Sequence, residues 1–489
     1  MKLAENIIDY LLGDEQKAIT IVYDPKGFLL RTDVCFALEH LGKVHILSGS
    51  LLDLRIAYER IPNGCYHGRP VFILRNKSAK IMPDIQEHAL VIEEFRLVNY
   101  FRWYDIDTLL QKNFDELEYC YRHQASYKLN AQETEAQIQA YHDSPEFHDN
   151  AIKTIIEQWD QLFGNVIFDK LDWIPKAADI ICQAIEAGCY ELFEEHIASV
   201  NRKFQLFLKQ NYLSSIVTSS CPSKGSPRIV THVLPFIYKQ PYEKKALIVV
   251  DGMNIWQAGL LAKSFIEKGY WLKMDYIYAW LPSVTELSRQ AIFRGDAPDD
   301  NYAQNPSNEQ KLFNAFFYHK PIDAASYEYC WGSVKRTKLS TKLFAAVDTT
   351  LDNAMHGAKN NAYLFDDTKR WLIDGFIEDV EQLLRDGFVI YITSDHGNVS
   401  TKPYKNLPKS TKIGADEAYR YITLSPQASP AQFAEENIGH VIQLDPDSRT
   451  FYPIDNEAFS NQPSITHGGT HWLEAIVPFF TIENSGNDQ

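Results

Sequence analysis

Strand-like and helix-like segments alternate over the first hundred residues. The run ITIVY at 19–23 is apolar and β-branched, and it ends at the turn signal Asp24-Pro25-Lys26-Gly27. Two more predicted strands, VHILS and VFILR, are separated from it and from each other by the helical patterns DVCFALEHLG and LLDLRIAYERI. This order predicts a small parallel α/β domain over residues 1–104. We interpret Asp24 as a turn residue rather than a functional acid.

The next block, residues 105–217, is rich in Glu, Gln, Leu, Tyr and Lys. Apolar positions recur there at intervals of three and four, as in CQAIEAGCYELFEEHI, so the block is predicted to be a helical connector domain. Residues 218–245 contain TSSCPSKGSPR and YKQPYEKK, a composition that predicts an exposed linker. The main domain boundary is therefore expected in that linker, with a second α/β domain over residues 246–489.

The second α/β domain contains four continuous apolar runs, which are ALIVV, KLFAAV, FVIYIT and AIVPFF. An amphipathic helix, WQAGLLAKSFIEKG, follows soon after the first run. Strands that are apolar throughout are typical of a mostly parallel sheet covered by helices on both faces. The predicted fold class is therefore α/β, with a helical middle region.

Composition narrows the range of functions. The 489 residues are 45% apolar and 13% aromatic, which indicates globular domains. The seven scattered cysteines contain no CxxC pair, so we expect a reducing, cytoplasmic setting without a disulfide framework. A net charge of −16 argues against broad wrapping of nucleic acid. No apolar run approaches the ~20 residues that span a bilayer, so no membrane association is expected.

Residues of metal-ligand type flank all four apolar runs. They are Asp251 after the first, Asp348 and Asp352 after the second, Asp395 and His396 after the third, and His467 before the fourth. In a parallel sheet the carboxyl ends of the strands share one edge, so we expect these side chains to lie together. Buried carboxylates require compensating cations. The pattern predicts two divalent metal ions, with Zn²⁺ first and Mn²⁺ second in preference.

Two hydroxyl groups lie in the segment LPSVTELSR, a turn followed by the start of a helix. Ser283 is a predicted N-cap, and Thr285 falls in the first helical turn. Free backbone N–H groups at a helix start bind phosphate oxygens, and a neighbouring metal ion lowers the pKa of a hydroxyl. By itself this segment favours a capping role, but beside the metal ligands it favours a nucleophile.

Five motifs resemble the PglZ-domain family, a branch of the alkaline-phosphatase superfamily. In chain order they are VVDGMN, LPSVTELSRQAIFRG, AAVDTTLD, TSDHGNV and THGGTHWLEAIVPFF. They cover roughly residues 246–482. Two further motifs, VYDPKG and LLDLRIAYE, resemble the N-terminal region of PglZ proteins from BREX phage-defence systems.

The resemblance implies a metal-dependent phosphodiesterase or phosphatase that has Thr285 as its nucleophile. The implied ligands of one metal ion are Asp251, Thr285, Asp395 and His396. The implied ligands of the other are Asp348, Asp352 and His467. Arg289 and Asn254 are implied to lie near the phosphate group, and other proteins of a defence complex are the implied partners.

The register of the second metal site is open. Many members of the superfamily carry Asp-x-x-x-His there, whereas Asp348 is followed at that spacing by Asp352, and His356 lies four residues further on. The pair is therefore either Asp348 with Asp352 or Asp352 with His356, and we prefer Asp348 because it directly follows the apolar run. His471 is interpreted as a packed or surface histidine.

Two other functions need to be distinguished from that of a phosphoesterase. A sulfatase needs a Cys or Ser that can be converted to an aldehyde hydrate, which Thr285 cannot supply, so phosphate esters, including nucleotides or nucleic acid, are the expected substrates. The alternative from a different class is a non-enzymatic assembly subunit in which the metal ions are structural. The presence of Thr285 favours activity.

Overall fold

The computed structural model describes residues 2–13, 16–77, 80–164, 166–299, 301–318, 320–332, 334, 338–407, 412–413 and 419–483. The chain divides into two compact units, Met1–Asp149 and Asn150–Gln489. Both are α/β, as predicted. Within the described residues, no helix is both long and apolar enough to cross a membrane.

The first unit is built on a four-stranded sheet. Its strands are β1 (Ile19–Tyr23), β2 (Val44–Ser48), β3 (Arg69–Leu74) and β4 (Ala89–Ile92). They pair in the order β2-β3-β1-β4, and every pairing is parallel, which confirms the predicted topology. The helices are α1 (Leu3–Leu12), α2 (Thr32–Glu39), α3 (Leu51–Arg60), α4 (Pro83–His88), α5 (Ile106–Leu109), α6 (Phe114–Arg122) and α7 (Ala131–His142).

Asp24 is buried at the end of β1 and stabilises the turn that follows. Its carboxylate accepts hydrogen bonds from the backbone N–H groups of Gly27 at 3.0 Å and Leu29 at 2.7 Å. Both oxygens are therefore used within the turn, in agreement with a structural role.

The second unit contains a six-stranded sheet and two smaller sheets. Its strands are β5 (Lys245–Val250), β6 (Trp271–Tyr278), β7 (Tyr327–Trp331), β8 (Leu343–Asp348), β9 (Val389–Thr393), β10 (Val399–Pro403), β11 (Lys412–Ile413), β12 (Ile422–Leu424), β13 (Val441–Ile442), β14 (Thr450–Pro453), β15 (Glu457–Ala458), β16 (Ser464–Thr466) and β17 (Ile476–Glu483). The large sheet has the order β6-β17-β9-β5-β8-β7. Neighbours from β9 to β7 are parallel, and β17 is antiparallel to β9 and β6, so the sheet is mostly parallel as predicted.

The helices of the second unit cover both faces of this sheet, except the one at Pro430–Glu436, which packs with strands of a smaller sheet. They are α8 (Pro145–Phe163), α9 (Ile174–Glu186), α10 (Tyr190–Asn211), α11 (Val233–Lys239), α12 (Ile255–Glu267), α13 (Thr285–Arg294), α14 (Pro306–Tyr318), α15 (Thr350–Gly357), α16 (Asn361–Trp371), α17 (Ile377–Arg385), α18 (Pro430–Glu436) and α19 (Trp472–Ala475). Side chains alternate along β5, so Leu247 and Val249 join the core that holds α8–α10, while Ile248 joins the core that holds α17.

The structure divides the chain at a different place from the predicted boundary at residues 218–245. The helices α8–α10 share one hydrophobic core with the large sheet, and the segment that includes Ile229 and Phe236 is buried in that core. Helical periodicity reports that a helix has an apolar face but not which partner covers that face. For that reason the sequence pattern suggested a separate connector.

Candidate active site

The central strands of the large sheet bring the predicted ligands to one edge. β5 lies between β9 and β8, and all three run in parallel. Asp251 directly follows β5, and Asp395 and His396 follow β9. Asp352 lies in the first turn of α15, the helix that follows β8. The expectation that strand ends gather these acids is met by the topology.

Two groups of side chains at this edge have ligand atoms close enough to hold a metal ion. One group is Asp251, Asp395 and His396, and the other is Asp352, His396 and His467; within each group the ligand atoms lie within 4.8 Å of one another. The Thr285 hydroxyl lies 3.0 Å from His396 Nε2. The predicted nucleophile and five of the predicted metal ligands therefore form one cluster.

Three buried carboxylate oxygens in this cluster accept no hydrogen bond from any described residue. They are Asp251 Oδ1, Asp352 Oδ1 and Asp395 Oδ2. The other oxygen of Asp395 accepts from the backbone N–H groups of Gly252 at 3.3 Å and His396 at 3.1 Å. Buried carboxylate oxygens without donors are costly unless a cation binds them. The residues present therefore fit a divalent metal ion.

The two buried histidines are oriented by backbone carbonyl groups. His396 Nδ1 lies 3.0 Å from the Gly397 oxygen, and His467 Nδ1 lies 3.1 Å from the Ser283 oxygen. Donation from each Nδ1–H leaves Nε2 with a free lone pair, the usual arrangement for a metal-binding histidine. The rings are stacked with centroids 3.7 Å apart.

Burial and mutual charge shift the pKa values of the cluster. Burial, together with the neighbouring Asp251 carboxylate, raises the pKa of Asp395 well above its usual value despite the nearby Arg289. Burial and the adjacent His396 lower the pKa of His467 to about 4. Burial tends to raise the pKa of Asp352, but the hydrogen bond to His356 and the adjacent imidazoles outweigh it and lower the value to about 2. The Asp395 carboxyl therefore holds its proton more strongly than the Asp352 carboxyl does, because its pKa is raised and that of Asp352 is lowered.

Asp348, the preferred ligand in the sequence prediction, is not brought into either group. Its Oδ1 accepts from Thr350 N at 2.8 Å, and its Oδ2 accepts from Trp371 Nε1 at 3.3 Å. His356 Nε2 instead lies 3.5 Å from Asp352 Oδ2, and the ring of His356 lies 5.9 Å from that of His467. His356 also lies outside both groups, but its contact with Asp352 favours the alternative pair, Asp352 with His356. Asp348 is the last residue of its strand and accepts a hydrogen bond from the first residue of the next helix.

Arg289 and Asn254 lie beside the cluster with their polar groups engaged by protein atoms. Arg289 donates to Asp251 Oδ2 and to Glu309 Oε1, at 2.5 Å in each case. Asn254 is the N-cap of α12, and its Nδ2 donates to the Asn398 carbonyl at 2.6 Å. The described contacts of Arg289 and Asn254 are with protein atoms, and their implied position near a phosphate group stays a prediction.

The turn before α13 connects Thr285 to the loop that carries His467. The helix begins at Thr285 and its N-cap is Val284. The prediction that Ser283 is the N-cap is therefore wrong. Ser283 Oγ instead donates to the Gly469 carbonyl at 2.8 Å and accepts from Gly468 N at 3.2 Å. His471 is buried as the N-cap of α19 and belongs to neither group of candidate ligands among the described residues.

Gly252 permits the close approach of the strand end to Asp352. Its φ is +70°, a conformation that favours glycine. A Cβ atom at this position would lie 3.1 Å from Asp352 Oδ1 and 3.3 Å from Asp352 Cβ. The glycine in VVDGMN is therefore required by the packing of the two candidate metal groups.

Several buried polar residues of the site were not found from the sequence. Glu309 holds Arg289, and Glu474 accepts from Gly469 N at 2.7 Å while it pairs with the buried Arg420. Gln205, on α10, contacts Thr470. Apart from the Gly469–Glu474 contact, which spans five residues, these contacts join parts of the chain that are far apart in the sequence, and the local pattern contains no signal for them.

The chain is similar to one protein family and to several solved structures. The model of the family described as the BREX system PglZ alkaline phosphatase-like domain matches residues 229–482, more than half of the chain. No curated protein matches the chain. Among solved structures, phosphonoacetate hydrolase from Sinorhizobium meliloti 1021, in complex with phosphonoacetate, is similar at 13% identity, with a TM-score of 0.34, over 49% of this chain and 90% of that chain.

A murine structure, the inactive ectonucleotide pyrophosphatase/phosphodiesterase 5 in complex with AMP, is similar at 10% identity and a TM-score of 0.35. That similarity covers 49% of this chain and 88% of that chain. The family match itself begins at Ile229, before β5, and ends at Ile482, within β17, so it contains the whole large sheet and every candidate ligand. The chain belongs to the PglZ family, whose domain is alkaline phosphatase-like.

Proposed function

We propose that the chain is a two-metal-dependent phosphoesterase that uses Thr285 as its nucleophile, and that it serves in a BREX-type phage-defence system. The observation that carries the proposal is the convergence of three unpartnered carboxylate oxygens and two imidazoles beside the Thr285 hydroxyl. The role in defence, with other defence proteins as partners, is supported by the family description alone.

The proposed ligands use both groups of side chains. Asp251, Thr285, Asp395 and His396 would hold one ion, and Asp352, His356 and His467 would hold the other. A mixed set of carboxylate oxygens and imidazole nitrogens suits Zn²⁺, with Mn²⁺ as the alternative. When bound, such ions supply positive charge that stabilises phosphate oxygens and lowers the pKa of the nucleophilic hydroxyl.

The chain's own residues prepare the reacting groups. Thr285 is the first residue of α13, where the helix dipole and the backbone N–H groups of the first turn favour a phosphate group. Arg289 holds Asp251, and the Gly397 and Ser283 carbonyls hold the two histidines. This pre-organisation keeps the ligands aligned before a substrate arrives.

The proposed substrate is a phosphate ester that approaches from the side of α15. His356 supports this direction because half of its side chain is exposed, whereas His396 is fully buried. A threonine hydroxyl can attack phosphorus and leave a phosphothreonine, which water then hydrolyses. The attack releases the alcohol of the ester.

Metal analysis combined with turnover tests the proposal. The purified chain, reconstituted with Zn²⁺ or Mn²⁺, should hold two equivalents and should hydrolyse p-nitrophenyl phosphate or its bis-ester. A chelator should abolish hydrolysis, and added metal should restore it. Hydrolysis that persists after the metal has been removed would contradict the proposal, and so would failure to bind metal after reconstitution.

A further inference from the structure

The long helix α10 carries two amide side chains in its buried face. Asn201 and Gln205 lie one turn apart and are 0% and 1% exposed, and Gln205 Nε2 lies 3.2 Å from Asn201 Oδ1. Amide groups are rarely buried unless their hydrogen bonds are satisfied. Their partners therefore identify what this face of the helix is built to hold.

All but one of the partners lie in the segment that follows His467; the exception is the Ile454 carbonyl, to which Asn201 Nδ2 donates at 2.5 Å. Gln205 Nε2 donates to the Thr470 carbonyl at 2.6 Å, and the Thr470 hydroxyl donates to Gln205 Oε1 at 2.8 Å. Asn201 Oδ1 accepts from Trp472 N at 3.1 Å. The two amides thus form hydrogen bonds with both the backbone and a side chain of the segment three to five residues after His467.

The loop between these contacts and His467 has little stiffness of its own. It consists of Gly468 and Gly469, and Gly468 has a φ of +106°. Ser283 and Glu474 hold the glycines from within the family-matched segment. Thr470, in contrast, is held by Gln205, which lies outside the family-matched segment because it precedes residue 229.

We propose that Gln205, assisted by Asn201, is a positioning residue for His467, and that α10 is therefore a working part of the metal site. This inference rests on the proposed function, since His467 is a proposed ligand. The amides do not touch a substrate or an ion. They fix the path of the loop, and through it the position of His467 opposite Asp352, where Nε2 and Oδ1 are 3.9 Å apart.

The test uses isosteric changes in the full-length chain. Gln205→Met and Thr470→Val each remove the polar contact and preserve volume, while Thr470→Ser retains the hydroxyl. Asn211→Ala is the matched control, because Asn211 lies on the same helix and donates only to the Phe207 carbonyl one turn earlier. Zn²⁺ titration against a competing chelator separates the two binding steps, and hydrogen exchange reports on the loop in the metal-free protein.

Gln205→Met and Thr470→Val should weaken the site that contains His467 by about tenfold, the lower end for residues that orient a ligand. The other site should change by less than about twofold, and Thr470→Ser and Asn211→Ala should resemble the wild type. In the metal-free protein, exchange should accelerate in the peptide covering residues 466–474 and not throughout the chain.

Two results would overturn the inference. One is equal weakening of both sites with faster exchange throughout, which indicates general destabilisation. The other is wild-type behaviour of Gln205→Met in both measurements. If the wild type itself binds no metal, the proposed function fails, and the exchange of residues 466–474 alone decides whether Gln205 holds the loop.

Discussion

The Arg289 guanidinium binds Asp251 through Oδ2 and leaves Oδ1 of the same carboxylate without a hydrogen bond from the residues that the structure describes. Its Nε is held by the fully buried Glu309, and its charged carbon lies 4.7 Å from the centre of the Trp331 ring. The carboxylate therefore has one oxygen fixed by protein and one available for a cation. Because Arg289 contacts only one oxygen of Asp251, the buried arginine is compatible with a cation bound to the other oxygen.

Replacement of Arg289 should weaken the ion shared by Asp251, Asp395 and His396. Lysine keeps the charge but cannot bridge Asp251 and Glu309 at once, so Arg289→Lys should lower the metal affinity of that site by about 10- to 100-fold. Calorimetric titration with Zn²⁺ measures this. The control is Arg294→Lys on the same helix, where the side chain is 40% exposed. Unchanged affinity in Arg289→Lys would refute a positioning role.

The register of the second site is tested by three substitutions. Asp352→Asn and His356→Ala should each lose one equivalent of metal. Asp348→Asn should keep both equivalents, because the amide oxygen can still accept from Thr350 N. Elemental analysis of the three variants separates the two registers. Loss of metal from Asp348→Asn with retention in His356→Ala would restore the register preferred from the sequence.

The close contact at Gly252 predicts a local effect on metal binding. Gly252→Ala places a Cβ 3.1 Å from Asp352 Oδ1, whereas Gly269→Ala, at a similar φ of +83°, meets nothing within 4 Å. Both variants should lose about 1–2 kcal/mol of unfolding free energy from backbone strain. Only Gly252→Ala should also lose the Asp352 metal ion. Equal metal content in the two variants would count against the packing argument.

The buried His471 predicts how stability depends on pH. Burial, together with the adjacent Arg420, lowers the pKa of His471 well below its ordinary value of 6.5. The unfolded chain takes up this proton below about pH 6.5 and the folded chain does not, so stability should fall as the pH decreases from there. His471→Asn keeps the cap acceptor and should flatten the slope by about 1.4 kcal/mol per pH unit in the metal-free protein. Denaturant unfolding measures the slope, and identical slopes would contradict the assignment.

The strand ends could be predicted because they depend on local pattern. An apolar run that stops at Asp251 or at Asp395-His396 predicts both the strand and the residue that follows its carboxyl end. The parallel topology then brings these strand ends together. The register at Asp348 could not be predicted in this way. Its outcome depends on Trp371, which lies 23 residues further on and donates to the carboxylate.

The buried polar residues that support the candidate site could not be predicted from the sequence for the same reason. Gln205 is a polar residue on a long helix, and the sequence does not show which partner it meets; only the folded chain places it against Thr470. Glu309 likewise lies near the start of an ordinary amphipathic helix, yet it is fully buried against Arg289. Contacts between residues far apart in the sequence follow from packing, which periodicity does not encode.

The most direct test of the account is the turnover of Thr285→Ala with metal content measured on the same sample. The variant should retain the ions held by its six carboxylate and imidazole ligands, because it loses only one weak ligand. Its turnover of p-nitrophenyl phosphate or the bis-ester should fall by about three or more orders of magnitude, as with other lost nucleophiles. Thr285→Ser should recover part of the activity. Turnover by Thr285→Ala at more than a few per cent of wild type, with full metal content, would contradict a threonine nucleophile.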